Sequence, residues 1–553
     1  MIVGLHPSYA SGTSRVPLLG ETIGANLERT VARVPDAEAL VSCHQGLRYT
    51  YAEFDQAVNE VALGLLALGL EVGDRLGIWS PNYAEWALVQ YATAKIGVIL
   101  VNINPAYRLN ELTYALNQSG CTVLIAAPSF KTGDYRALVD EARPDLHSIE
   151  HVIYLFSPEW DDLRSSGQGL SADDLRRRAA MLQYDDPINV QYTSGTTGFP
   201  KGATLSHHNI LNNAFFVGEG CRYTEIDRVC VPVPLYHCFG MVMGNLGATT
   251  HGACVVYPEA GFDPAATLRA IEAERCTSLY GVPTMFIAQL GHPSFADTDF
   301  TSLRTGLMAG SPCPVEVMKQ VTTLMHMPEV GIAYGMTETS PVSTQTATDD
   351  SLDRRTGTVG RVMPHIEIKI VDPESGMVVA RGVSGEFCTR GYSVMLGYWN
   401  EPAKTAEAID SSGWMHTGDL ATMDDDGYAN IVGRIKDMII RGGENVYPRE
   451  IEEFLYTHPQ IDDVQVIGVP DDRYGEEIMA WITLREGADP QTVDAAAIRA
   501  FCLGKIAHFK IPRYVRIASE FPMTVTGKVR KIEMREVSIA ELGLHGAAAT
   551  KNA

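Results

Sequence analysis

No two of the ten cysteines form a C-x-x-C step, and no stretch of the chain stays apolar for long. The first absence argues against a zinc ribbon or a disulfide framework and makes reduced, buried thiols of a cytoplasmic protein the expectation. The second argues against a membrane-spanning helix, because the longest apolar stretches, such as 97–101, fall far short of the roughly 20 residues needed. The opening MIVGLHPSYASGTSRVP has no charged start followed by an apolar run, so no signal peptide is expected. Positive charge is scarce as well. The formal net charge of −23 argues against a nucleic-acid surface or an anionic membrane surface. It does not forbid a polyphosphate, which a local loop can hold inside an acidic protein. What is present is ordinary for a globular protein, with 45% hydrophobic and 20% charged residues. At 553 residues the chain is too long for one core, so two or more domains are expected.

The rest of the chain is organised around 192–202, YTSGTTGFPKG. Gly195, Gly198 and Gly202 remove side-chain bulk, Thr193, Ser194, Thr196 and Thr197 add hydroxyls, and Lys201 adds a cation. A donor-rich loop ending in a positive charge suits a polyphosphate. It lacks the Gly-Lys-Ser/Thr ending and the spacing of a Walker A loop. The competing reading is a solvated Ser/Gly-rich linker.

Around it the pattern predicts strands alternating with helices. Ile23, Leu27 and Val31 recur at helical spacing before Pro35, and Thr50 with Glu53 forms a capping box for a helix carrying Phe54, Val58, Val61, Leu65 and Leu68, ended by Gly69. Strands are expected at 75–79, 98–102, 122–126, 189–192, 277–281, 303–309 and 330–334, with helices at 83–95, 111–118, 283–290 and 314–325. Residues 127–186 read as charged and loop-like, with one helix at 172–182, and the phosphate loop reads as strand, loop, then helix from Ser206. This is an α/β pattern with a mostly parallel sheet, in two βα-type subdomains divided near 190. Its ligands bind at the carboxyl ends of strands. Beyond 355, Ile366, Ile368 and Ile370 alternate with Glu367 and Lys369, as in a β-rich subdomain with turns at 372–376 and 424–427. A connection at 433–443 leads to an α+β unit with helices at 448–456 and 494–503 and strands at 464–469 and 478–484. The tail from 543 reads as unstructured.

Five stretches stand in a fixed order: YTSGTTGFPKG at 192–202, PLYHCFG at 234–240, YGMTE at 334–338, TGD at 417–419 with GRIKDMIIRGGENVYPREIE at 433–452, and TGK at 526–528. Together they resemble the adenylate-forming enzymes, which include acyl-CoA synthetases, peptide-synthetase adenylation domains and beetle luciferase. The resemblance covers about residues 20–535. It implies a large N-terminal domain over 1–433, holding the ATP and acyl sites, and a small mobile C-terminal domain over 434–553. ATP, Mg2+ and CoA are the implied cofactors and co-substrates, and the partners are small molecules, with peripheral membrane contact and a homodimer left open.

Residue by residue, the resemblance carries the following. Thr193, Ser194, Gly195, Thr196, Thr197, Gly198 and Lys201 would wrap the phosphates, with Thr197 also counted among the catalytic residues. Glu338 and Thr196 would hold magnesium; a lone loop Glu is otherwise solvated. Tyr334 would offer a flat face to adenine, flanked by Gly335, and Thr337 a hydroxyl to phosphate, while Gly310 and Ser311 would let backbone approach the nucleotide. Asp419 would accept the ribose hydroxyls, although Asp in a turn is commonly a local cap. Arg434 would be a second ribose contact or a surface partner of Asp437. Lys436 would be the hinge, Gly442 and Gly443 would line a thiol tunnel, and Lys528 would be the catalytic lysine. His237 would orient the substrate carboxylate or close the acyl tunnel, or be a satisfied core residue.

The acyl site is expected near 236–244, 309–310 and 335–336, with Phe239, Met241, Val242 and Met243 prominent. PLYHCFG has no carboxylate to hold an amino group, and no carrier segment follows Lys528. An uncharged, Met-rich pocket suits an aliphatic acid. The wording of the motifs resembles medium- and long-chain fatty acyl-CoA synthetases most. A fatty acid:CoA ligase is therefore expected, with an aryl-acid ligase, an enzyme loading a carrier protein and a non-catalytic nucleotide sensor as alternatives.

Overall fold

The helix after Thr50 starts where its cap requires. The Thr50 hydroxyl accepts the Glu53 amide at 3.2 Å, and the Glu53 carboxylate accepts the Thr50 amide at 2.8 Å. Two orphan donors are thereby satisfied, a cap worth about 1 kcal/mol. The helix runs over Tyr51–Ala67 and buries Phe54, Val58, Val61 and Leu65. The computed structural model that shows this describes residues 6–193, 200–311, 313–442, 444–523 and 529–544.

Two large sheets follow from the strand–helix alternation. The first runs in the order Gly397–Tyr398, Lys201–Ser206, Pro187–Thr193, Ile99–Asn102, Arg75–Trp79, Val123–Ala126 and His151–Tyr154. It is parallel from Pro187–Thr193 onward. The second runs Arg361–Val362, Val342–Gln345, Glu329–Gly335, Thr305–Ala309, Ser278–Gly281, Arg228–Cys230, Cys254–Tyr257, Glu38–Ser42 and Leu47–Thr50. Between them pack helices such as Ala84–Ile96, in which every residue is buried. An all-round buried helix is what a two-sided apolar environment selects.

Three expectations need correction. Residues 127–186 are not mainly loop. They contain helices Tyr135–Ala142 and Pro158–Ser166 and strand His151–Tyr154, and the expected helix at 172–182 runs over Ala172–Ala179. The phosphate loop does not lead directly into a helix: strand Lys201–Ser206 returns antiparallel to Pro187–Thr193, with Thr193 opposite Lys201, before helix His207–Gly220. Nor does one cut near 190 separate the two sheets. The hairpin at 38–50 joins the second sheet and the hairpin at 187–206 joins the first.

The β-rich part forms a third sheet, ordered Tyr9–Ser11, Ile366–Val371, Gly385–Gly391, Met415–Met423 and Ala429–Arg434. Ile366, Ile368 and Ile370 are buried as their alternation predicts. After the turn Ile435–Asp437 the chain enters a fourth sheet of Ile439–Arg441, Glu444–Val446, Ile461–Asp471, Gly475–Leu484 and Tyr514–Ile517. Helices Pro448–Leu455 and Ala495–Cys502 cover a separate core there, containing Ile451, Val464, Ile478 and Ile498. The tail expected to be unstructured lies, from 545 onward, outside the described residues. No helix among the described residues is long and apolar enough to cross a membrane.

Candidate active site

The site lies where the first three sheets meet. Strand Glu329–Gly335 ends on Tyr334 and Gly335, and the chain then turns through Thr337–Thr339. Gly335 is required by space: a Cβ there would stand 1.7 Å from the Pro341 carbonyl oxygen. This tight turn buries Glu338, which is 5% exposed. Its Oε1 accepts the Tyr398 hydroxyl at 2.9 Å and the Thr193 hydroxyl at 3.2 Å. Thr193 ends one strand of the first sheet and Tyr398 sits on that sheet's edge strand, so one carboxylate ties two sheets together. The Lys201 ammonium lies 4.1 Å from the centre of the Tyr398 ring. Burial first, then the Glu338 carboxylate, keeps the Tyr398 phenol protonated well above its ordinary range.

A second group joins the second sheet to the third. The Tyr334 hydroxyl donates to Asp419 Oδ2 at 2.7 Å, and Arg434 Nε lies 3.2 Å from Asp419 Oδ1. Asp419 and Arg434 are directly opposite on adjacent strands. The ion-pair alternative for Arg434 thus resolves toward Asp419 rather than Asp437. The Tyr334 ring meets Phe387 edge-on at 5.1 Å. Burial and Asp419 raise its phenol far above the usual value, so it stays a donor.

The PLYHCFG stretch comes up beside this turn. Burial pushes the Cys238 thiol up to about 12, with Glu338 adding to the rise, while the thiol donates to Gln191 Oε1 at 3.2 Å. His237 is half-buried and its Nδ1 accepts the Phe239 amide at 3.3 Å. Phe239–Leu246 then forms a π-helix, a wide turn frequent at functional sites. Phe239, Met241, Val242 and Met243 are all buried. The Met241 sulfur is held by the Asn102 and Gln191 amides, each at 3.2 Å. Asn189 links these two, accepting from Gln191 and donating to Asn102.

The remaining expected residues are spread more widely. Gly310 and the exposed Ser311 follow strand Thr305–Ala309. Lys436 is exposed in the turn between the third and fourth sheets. Gly442 lies in the turn that follows strand Ile439–Arg441 of the fourth sheet, its amide on the Tyr474 carbonyl at 2.8 Å. Ser194, Gly195, Thr196, Thr197, Gly198, Gly443 and Lys528 lie outside the described residues. Sequence reasoning missed Tyr398 and the Asn102–Asn189–Gln191 network. Tyr398 stands 60 positions beyond Glu338, with only a neighbouring glycine and Trp399 to mark it.

A strand-end carboxylate, hydroxyls and a lysine thus gather at one end, and a tyrosine–aspartate pair at the other, beside the buried apolar π-helix. In agreement, residues 27–399 match the AMP-binding enzyme family and residues 450–528 its C-terminal domain, and the chain belongs to this family. Its relatives are specific. YngI of Bacillus subtilis, named provisionally as an acyl-CoA synthetase, is 47% identical over 95% of this chain and 99% of its own. The mitochondrial medium-chain acyl-CoA ligase ACSF2 of Danio rerio is 46% identical over 98% of this chain and 92% of its own. Among solved structures, the anthranilate CoA ligase AuaEII in complex with anthranoyl-AMP superposes with a TM-score of 0.82, at 27% identity over 94% of this chain and 98% of that one.

Proposed function

We propose that the protein is an AMP-forming fatty acid:CoA ligase acting on medium-length aliphatic acids. The meeting of Glu338, Thr193, Lys201 and Tyr398 at one end of the site with Tyr334, Asp419 and Arg434 at the other carries this reading. Tyr334 and Asp419 hold the nucleoside, and Lys201 and the hydroxyls face the phosphates. The substrate carboxylate attacks the α-phosphorus, pyrophosphate leaves, and the CoA thiol then displaces AMP from the acyl carbon. Lys528 stabilises charge in the first step. His237, whose Nδ1 accepts the Phe239 amide, is the residue we assign to orienting the substrate carboxylate or closing the acyl tunnel.

Magnesium fits the donor set. Glu338 is buried with hydroxyl donors and, among the described residues, no cationic partner, and its oxygens suit a hard ion. When bound, magnesium supplies charge that offsets the repulsion of phosphate oxygens. The ten free cysteines, nine of them buried, suit a reducing compartment, and the cytoplasm is our assignment. We divide the chain at the turn carrying Lys436 into a large domain and a small mobile one.

The test is pyrophosphate release over straight-chain acids from acetate upward, with and without CoA, using benzoate, a cinnamate and leucine as controls. Each added methylene contributes up to ~0.8 kcal/mol, roughly a four-fold rise in kcat/KM, until the pocket ends at about eight to fourteen carbons. A flat profile, or preference for a control, overturns the fatty-acid reading. Lys528→Ala should lose adenylation by on the order of 10²–10³ yet still convert supplied acyl-AMP and CoA to thioester.

A further inference from the structure

On the third sheet, away from Glu338, three metal-ligating side chains converge. Glu386 and Cys388 are two residues apart on strand Gly385–Gly391, hence on one face, and Cys388 stands directly across from His416 on strand Met415–Met423. His416 Nδ1 is 2.8 Å from Glu386 Oε2 and 3.5 Å from Cys388 Sγ. One ligand atom from each residue lies within 4.8 Å of the other two. On the far side of the ring, His416 Nε2 lies 3.8 Å from Asp410 Oδ2.

We propose that Glu386, Cys388 and His416 form a binding site for a divalent transition-metal cation of the zinc type, with Asp410 as the positioning residue for His416. The site goes beyond the ligase reading and does not rest on it. A thiolate, an imidazole and a carboxylate are a borderline-soft set that favours zinc or cobalt over magnesium. Zinc bonds of about 2.3 Å to sulfur and about 2.0 Å to nitrogen or oxygen give tetrahedral edges of about 3.5 Å for S–N and about 3.3 Å for N–O. The observed S–N separation already has that length, and the N–O contact has to open by about half an ångström. On binding, the thiol releases its proton to solvent and the ring hydrogen resides on Nε2, facing Asp410, in the carboxylate–histidine–metal order that fixes a ligand ring. Three protein ligands leave the fourth position to water. His416 is 32% exposed, which gives the ion a way in.

The surroundings limit affinity. Lys369 lies across from Cys388 on the opposite neighbouring strand, with its ammonium 4.4 Å from the Trp414 ring centre. Its charge opposes a cation, so binding is weaker than at a closed four-ligand zinc site. The other oxygen of Glu386 accepts the Gly418 amide at 3.1 Å, so a bound ion would brace the turn that carries Asp419.

The experiment uses the full chain, stripped by a chelator and titrated with Co2+ while the near-ultraviolet thiolate-to-cobalt band is followed. One equivalent should produce the band and Zn2+ should erase it. Cys388→Ser should abolish it, and Asp410→Asn should keep it while weakening binding by about 10- to 100-fold. No band in the wild type, or a band that persists in Cys388→Ser, overturns the site. Should Cys388→Ser fail to fold, the partly exposed His416→Gln decides: a ten-fold or greater loss of affinity supports the site, and a wild-type titration overturns it.

Discussion

Tyr398 illustrates how one hydroxyl can matter. It is a neutral donor to a buried carboxylate, and hydrogen bonds to charged groups contribute about 1.5–3 kcal/mol. Tyr398→Phe should therefore lower kcat/KM for ATP by on the order of 10- to 100-fold. Thioester formation from supplied acyl-AMP should be spared. Equal losses in both half-reactions would show that the hydroxyl supports the fold rather than the phosphate end. His207 gives a second residue-scale expectation. Its Nδ1 accepts the Ile23 amide at 3.2 Å, its Nε2 has no partner among the described residues, and burial pushes the imidazole down to about 3. The unfolded value is about 6.5. The neutral ring thus contributes stability that is full above pH 6.5 and is lost as pH falls toward 3. The slope is at most about 1.4 kcal/mol per pH unit. Between pH 7.5 and 5.5 the wild type should lose about 1.4 kcal/mol that His207→Asn does not, read from denaturation midpoints at both pH values. Equal losses would remove His207 as the cause.

Among the elements, the π-helix Phe239–Leu246 leaves little room for change. A Cβ on Gly240 would stand 2.4 Å from the Pro234 carbonyl oxygen, which is backbone and cannot step aside cheaply. Gly240→Ala should cost about 1–3 kcal/mol of stability. It should also displace His237, lowering kcat/KM for the acid while leaving ATP binding near wild type; an unchanged acid profile would separate His237 from the acyl site. Legibility differs by element for the same kind of reason. The alternation of Ile366, Ile368 and Ile370 and the box of Thr50 and Glu53 are local, so the sequence states them directly. Strand Glu38–Ser42 pairs with Cys254–Tyr257 across more than 200 positions, and no nearby pattern announces such a partner. The charged helices Tyr135–Ala142 and Pro158–Ser166 are too short for their period to stand out from loop. Glu338, Asp419 and Lys201 were legible because each sits inside a motif, whereas Tyr398 and Asn102 act only through folding.

For the whole molecule, the turn Ile435–Asp437 is the junction between the third and fourth sheets, with Arg449 donating to the Ile431 carbonyl at 2.7 Å across it. Proline fixes φ, so Lys436→Pro should stiffen the junction. Acyl-AMP formation should survive and thioester formation fall, measured as separate half-reactions; wild-type rates in both would place the hinge elsewhere.

The first strand of the third sheet, Tyr9–Ser11, pairs with Ile366–Val371. In a chain made from its N-terminus, that strand is finished long before its neighbour exists. At about 5–20 residues per second, the ribosome needs roughly 20–70 s to reach the partner. A shorter delay, roughly 10–40 s, holds for Glu38–Ser42, which waits for Cys254–Tyr257. These early edges therefore stay open for tens of seconds during synthesis, which invites binding by holding chaperones. Because the site draws on Thr193, Glu338, Tyr398 and Asp419, it is among the last parts of the large domain to exist.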